Sequence, residues 1–219
     1  MIKVNSNGGI TMREITVKLY QYDELSEEAK ERAREWFLQD YPDYGWWEFI
    51  YDEADTLATN LGLIIKPHTS RNMRGESLVK PGFCFDLDRQ QLIYQGYYDY
   101  DKTWKDKCQC EYGKDVFKQD HDLSKFLRAW EEKVLSLQKS AFYGITIDVD
   151  CRSYINMDVR NVYGREVTDI QVRQAEELIE LFNDYVLDML QKEYDYITSD
   201  AYVEETIDVY EFTEDGTIA

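Results

Sequence analysis

Histidine is nearly absent: two occur in 219 residues. Nucleophile–base catalysis usually needs a histidine. His68 and His121 belong to no G-x-S-x-G or Cys/His signature, so a histidine-based enzyme is not expected. There is no P-loop and no G-x-G-x-x-G, so a fold cradling phosphates on a glycine-rich loop has no support. No apolar run approaches the roughly 20 residues of a membrane span. The opening Met1-Ile2-Lys3-Val4-Asn5 lacks the apolar stretch of a signal peptide. Positive charge is also scarce. Lys and Arg number 25 against 44 Asp and Glu, a formal net charge of −19, and that sign excludes nucleic-acid binding through a global basic field. The four cysteines, with no secretory signal, are expected to be reduced thiols in a cytosol.

What is abundant is acid and aromatic. The hydrophobic fraction is 43%, enough to build a core and to exclude general disorder. From Glu166 onward there are 16 acidic residues and two basic ones, Arg173 and Lys192, so this segment carries −14 of the −19. A solvated helix face explains such a run, and so does a surface made for a basic partner. Eighteen tyrosines, many beside carboxylates as in Gln95-Gly96-Tyr97-Tyr98-Asp99-Tyr100-Asp101, suit a core, a protein interface, or a surface imitating nucleic acid.

The pattern along the chain predicts an α+β fold, an antiparallel sheet with helices packed on one face and an acidic C-terminal helical segment. Residues 1–12 are expected to be a flexible arm, 13–165 an α+β core domain, and 166–219 an acidic helical segment packed on that core. Ile15, Val17 and Leu19 alternate as a half-buried strand. Ser26 caps a helix whose apolar face is Ala29, Ala33, Trp36 and Phe37, ending before Pro42. A second helix runs from about Tyr44 to a stop at Gly62, and Leu63–Ile65 is a strand. Residues 66–82 have no period and hold Arg71, Arg74 and Lys80, a basic loop on an acidic protein. Phe83–Asp88 and Leu92–Tyr100 form a hairpin, followed by a linker with Trp104. Asp122 caps a helix with Leu123, Leu127, Trp130, Val134 and Leu137 on its stripe. Strands cover 145–149 and 154–162. Thr168-Asp169-Ile170-Gln171 fits a capping box opening the longest helix, to about Tyr194, and Ser199 opens a short last helix to about Val209.

Candidate chemistry follows from spacing. Asp86 with Asp88, and Asp148 with Asp150, stand two apart on strands, so each pair shares a face. Converging pairs would offer the oxygen ligands that Mg²⁺ or Ca²⁺ prefer, but the outer face of a wetted sheet is the simpler reading of them. Cys108-Gln109-Cys110 lies near His121, but a structural zinc site usually has four ligands in paired spacing. No cofactor is expected.

The segment Tyr22-Asp23-Glu24-Leu25-Ser26-Glu27-Glu28-Ala29-Lys30-Glu31-Arg32-Ala33 resembles the Y-x-E-L-S-x-E-A-K-x-x-A opening of a widespread family of small tailed-phage proteins, some labelled antitoxin-like. Trp46-Trp47 and Tyr51-Asp52-Glu53-Ala54 resemble that family's next helix. Glu193 to Ile207 resembles its E-Y-x-Y-x-T-S-D-x-x-V-x-E-x-I helix, and Tyr210 to Gly216 its Y-x-F-T-x-D-G tail. The centre departs: Lys80-Pro81-Gly82-Phe83-Cys84-Phe85-Asp86 replaces a glycine-rich stretch. The resemblance implies a phage or prophage origin, and so the cytoplasm of an infected or lysogenic bacterial host, and implies no catalytic residue. Together these readings lead to a non-enzymatic phage accessory protein that inhibits a host defence factor of the anti-CRISPR or anti-restriction type. Its partner would be a basic, nucleic-acid-binding complex, met by acidic mimicry through Glu176, Glu177, Glu180, Asp184, Asp188, Glu204, Glu205 and Asp208. Neutralisation of a basic toxin, or a carboxylate-metal enzyme or small-ligand binder on the four aspartates, are the alternatives.

Overall fold

A computed structural model gives the fold and describes residues 17–40, 45–71, 74–75, 77–80, 82–151 and 155–219. The fold is α+β. In order the elements are α1 (Glu27–Asp40), α2 (Glu48–Leu61), β1 (Leu63–Ile65), β2 (His68–Arg71), β3 (Ser77–Lys80), β4 (Cys84–Asp86) and β5 (Gln91–Ile93). Then follow β6 (Gln95–Asp99), α3 (Trp104–Tyr112), α4 (Asp122–Ser140), β7 (Ile145–Asp150), β8 (Asn156–Asn161), α5 (Asp169–Ile197) and α6 (Asp200–Ile207). No described helix is long and apolar enough to cross a membrane.

The chain divides into two compact units, Met1–Trp46 with Glu193–Ala219, and Trp47–Lys192. The expected division was a core over 13–165 and a segment over 166–219; the expected arm, 1–12, lies outside the described residues. The first unit exists because α1 is too short to bury its own apolar face. Ala29, Ala33 and Phe37 close against Val203 and Ile207 of α6 and against Phe212 of the tail, with Tyr22 and Leu25 completing the cluster. Ser26 caps α1, its Oγ accepting the Ala29 N–H at 3.3 Å. Gly216, at φ +85°, lies where a Cβ would stand 2.1 Å from the Ala29 carbonyl oxygen, so the tail passes over α1 only as glycine. The expected strand at 15–19 is absent from its described part. Val17 and Leu19 are exposed, and Tyr20 makes one isolated bridge to Phe212, because no neighbouring strand receives the alternation.

The larger unit is built on a four-stranded antiparallel sheet, ordered β1-β6-β7-β8. Alternation sorts its faces. Gly96 and Tyr98 on β6, and Ile145, Ile147 and Val149 on β7, are buried, while Tyr97, Asp99, Thr146, Asp148 and Asp150 alternate with them. The buried side meets helices: the Tyr98 ring packs edge-on to Trp130 of α4, and Tyr94, between β5 and β6, packs against Phe182 of α5. Buried Tyr94 donates its hydroxyl to Asn183 Oδ1 at 2.9 Å. Gln138, fully buried on α4, brackets the start of β7, donating to the Ile145 carbonyl at 3.0 Å and accepting its N–H at 3.1 Å. α2 ends as expected at left-handed Gly62, whose absent Cβ leaves room for the Asp99 carbonyl. Thr168 and Gln171 form the anticipated capping box, exchanging bonds of 3.1 and 3.3 Å.

Three local readings change. Residues 66–82 contain a hairpin, β2 paired with β3 from His68↔Lys80 to Arg71↔Ser77, rather than a featureless loop. The strand expected over 92–100 breaks at Tyr94, its first part pairing with β4 and its second joining the main sheet. The expected linker is α3, which buries Trp104 and Cys108 one turn apart.

Candidate functional site

The acids of α5 divide by their neighbours. Glu176, Glu177, Glu180, Asp184 and Asp188 are all exposed. Lys133 reaches Glu177 at 2.9 Å and holds its carboxyl below the usual range, and Lys192 reaches Asp188 at 2.7 Å. Glu176, Glu180 and Asp184 form no ion pair among the described residues and recur at helical four-residue spacing. Glu204, Glu205 and Asp208 belong to the other unit. There Arg34 of α1 engages Asp200 and, at 3.5 Å, Glu204. Glu204, itself exposed, thus has a cation from α1 beside it. Glu205 and Asp208 are exposed.

The basic candidates sit on the hairpin. Arg71 ends β2 and Lys80 ends β3, at opposite ends of the ladder and so about 10 Å apart along it. Arg74 is exposed between the strands.

The aspartate pairs do not converge. Asp148 and Asp150 share the outer face of β7 in the four-stranded sheet, whereas Asp86 belongs to the separate β4–β5 pair. Asp148 is held by Arg160 of β8, which also reaches Asp158 at 3.3 Å, and Asp150 accepts the Gln95 amide at 3.0 Å. Asp86 turns onto its own loop, accepting the Arg89 N–H at 3.0 Å, and Asp88 is exposed in that turn. Among the described residues no three His, Cys, Asp or Glu side chains gather as a metal site requires. The CxC is disposed of by helix geometry: residues two apart on α3 project to different sides, leaving Cys108 buried and Cys110 exposed. Burial pushes the Cys108 thiol up to about 12. His121, not Asp122, caps α4. Its Nδ1 accepts the Ser124 N–H at 3.2 Å while Nε2 lies 2.6 Å from Gln119 Oε1, which fixes the proton on Nε2.

One concave feature of the larger unit was not anticipated. A cleft of about 640 Å³ opens where α2 ends, β6 leaves the sheet and α4 turns into β7. Its walls include Tyr97, Tyr100 and Tyr143, with Asp99, Asp101 and Lys102. The Tyr100 and Tyr143 rings pack at 5.2 Å. Asp101 is the fixed point of the cleft. The Lys107 ammonium at 2.7 Å and the Thr103 hydroxyl and N–H, each at 2.7 Å, hold its carboxyl at about 2. The α4–β7 turn carries the third tyrosine. Phe142 and Tyr143 are consecutive non-glycine residues at φ 55° and 59°, with the Tyr143 N–H bonded to the Gln138 carbonyl at 2.7 Å. Two left-handed non-glycine residues in sequence are costly, about 1 kcal/mol or more each, and such strain concentrates at functional segments. Tyr97 and Tyr100 stood in the ring–carboxylate run of the sequence; the only mark of Tyr143 was an aromatic before Gly144 between a helix and a strand.

No protein-family model matches the chain, and neither does any curated protein or solved structure.

Proposed function

We propose that this chain is a phage accessory protein that binds and inhibits a host nucleic-acid-handling defence factor, of the anti-CRISPR or anti-restriction type. It would do so by presenting carboxylates where phosphates would otherwise lie. The observation that carries the reading is the exposed acidic stripe of α5 within a chain of net charge −19. Its five carboxylates from Glu176 to Asp188 span about 18 Å of helix at about 1.5 Å per residue, roughly one per 4 Å, against about 3.4 Å per phosphate on one DNA strand. Three of them form no ion pair among the described residues, so a basic channel meets them undischarged. Long-range attraction of this kind speeds encounter and weakens with salt.

The test is a pull-down with the tagged protein from lysate of a bacterial host at about 0.05 M salt, with a wash at about 0.5 M to screen the charges. The expected result is one nucleic-acid-binding complex, displaced both by salt and by added duplex DNA. Glu176→Lys, Glu180→Lys and Asp184→Lys together should lower capture at least about tenfold with melting unchanged, since exposed helix substitutions usually stay within about 0.5 kcal/mol. Equal capture by the triple variant removes α5 mimicry.

A further inference from the structure

The aromatic end of the larger unit has no part in the α5 stripe, and it has the composition of a binding site. Tyr97 is 41% exposed, Tyr143 45%, and Phe142 and Tyr163 62% each. Tyr97 of β6 and Tyr143 both line the cleft, Phe142 precedes Tyr143 on its turn, and the turn after β8 brings Tyr163 beside that turn. Val162 N–H bonds the Gly144 carbonyl at 2.8 Å, and the Tyr163 ring lies against Gly144, where a Cβ would meet it at 2.6 Å. Tyr143 then continues through its contact with Tyr100 into the cleft. Carboxylates flank the rings: Asp99 is two residues along β6 from Tyr97 on the same face, and Asp148 stands directly across from Tyr97 on β7.

This end also shows which group it accommodates. Two of the chain's own guanidinium groups sit here, in two different ways. Arg165 lies over the Phe142 ring at 4.0 Å, and Arg160 is gripped between Asp148 and Asp158. Ring faces and paired carboxylates are the two devices by which a planar guanidinium is recognised. Counting Asp99, Asp101, Asp148, Asp150 and Asp158 against Lys102, Lys107, Arg160 and Arg165, the cleft and the adjoining sheet face carry 4 − 5 = −1. Exposed tyrosines also stack bases, but that use calls for a positive groove; here the local and global charge repel phosphate.

We propose that the Tyr97–Tyr100–Tyr143 cleft, continued by Phe142 and Tyr163, is a docking site for the arginine side chains of a basic protein segment. The proposal rests on the reading of the chain as a binder of a basic partner, and it moves the anchoring contacts from the α5 stripe to the aromatic end. Aromatic residues backed by charge are the usual centres of binding energy at interfaces. In this division the α5 acids steer the partner and the rings hold it.

The probe is a fluorescent, capped peptide of alternating arginine and glycine, with a lysine–glycine peptide and oligothymidylate as comparisons. Anisotropy is read at about 0.3 M salt, where long-range steering is screened. The arginine peptide is expected to bind several-fold more tightly than the lysine peptide, because the guanidinium plane stacks on a ring. Tyr97→Ala with Tyr143→Ala should weaken it about tenfold, while Tyr97→Phe with Tyr143→Phe should keep it, since the ring and not the hydroxyl is the contact. The α5 triple reversal should change it less than about twofold at that salt. Equal binding by wild type and the double alanine variant, with melting unchanged, overturns the docking site and leaves the α5 reading standing. No arginine-peptide binding overturns it as well. Oligothymidylate binding that the alanine changes abolish overturns the choice of a protein partner. Loss of pull-down by the α5 reversal with peptide binding intact supports the proposed division of roles.

Discussion

In the smaller unit Trp36 packs edge-on against Phe37, Tyr210 and Phe212, and the tail closes over them. At the turn end of the larger unit Phe142 and Tyr143 stand on a left-handed turn with Tyr163 beside it, and all three are exposed. One chain thus uses its aromatic excess in two ways. The sealed rings stabilise a unit made from the two ends of the chain. The open rings bury little, and two of them occupy a backbone conformation unfavourable to any side chain with a Cβ. Burial rewards the first arrangement; it does not account for the second.

The comparison breaks most readily at Phe212, fully buried where α1, α6 and the tail meet. Phe212→Ala is expected to destabilise the smaller unit by about 3–5 kcal/mol, the range for truncating a buried phenylalanine. Chemical unfolding followed by tryptophan fluorescence reads this, Trp36 being packed on the lost ring. A loss under about 1 kcal/mol would mean that the ends of the chain are not a packed unit.

A second test separates buried from open rings within the larger unit by pH. Burial pushes the Tyr94 and Tyr98 phenols well above their ordinary range, and it raises the Cys108 thiol to about 12. For each group the neutral form is favoured in the folded state, so the folded chain holds more protons than the unfolded chain between the ordinary and the raised pKa. The stability these groups contribute is complete below about pH 8.5 and is lost as pH rises beyond about 9 to 10. The urea midpoint should therefore fall from pH 9 to 11. Tyr94→Phe should flatten that decline while lowering stability at pH 7 by about 1 kcal/mol through the lost bond to Asn183. A midpoint constant to pH 11 would place these rings in water.

Periodicity made much of this legible. The stripes of α1, α2, α4 and α5, the Ser26 and Ser199 caps, the Thr168 box and the Gly62 stop read correctly because each signal lies within a few residues of its effect. α3 was obscured because its buried side is only Trp104 and Cys108 amid polar residues. The β2–β3 hairpin was obscured because its strands are as polar as a loop, with Gly75 at the turn. The division into units depends on contacts distant in sequence, such as Arg34 with Glu204, 170 residues apart. No window along the chain contains both partners. At the candidate site, the exposure of the α5 acids followed from helical period. Which of them meet a cation did not, since Lys133 comes from another helix. The cleft was least legible, because it depends on the handedness of Phe142 and Tyr143, which their side chains disfavour.

The smallest expected effect on stability is the sharpest test of the opening comparison. At Tyr143, with φ 59°, glycine has no steric penalty, so Tyr143→Gly relieves about 1 kcal/mol of backbone strain. Against this stand the ring contact with Tyr100, about 0.5–1.5 kcal/mol, and the greater freedom of glycine in the unfolded chain, about 0.5–1 kcal/mol. These offset, and melting should leave the variant within about 1 kcal/mol of wild type. Yet the cleft loses a wall, so arginine-peptide binding should fall severalfold. A ring whose removal barely moves stability but weakens binding is held for the ligand. If Tyr143→Gly instead unfolds the larger unit as strongly as Phe212→Ala unfolds the smaller, both aromatic groups are core, and the contrast between a sealed unit and an open one is gone.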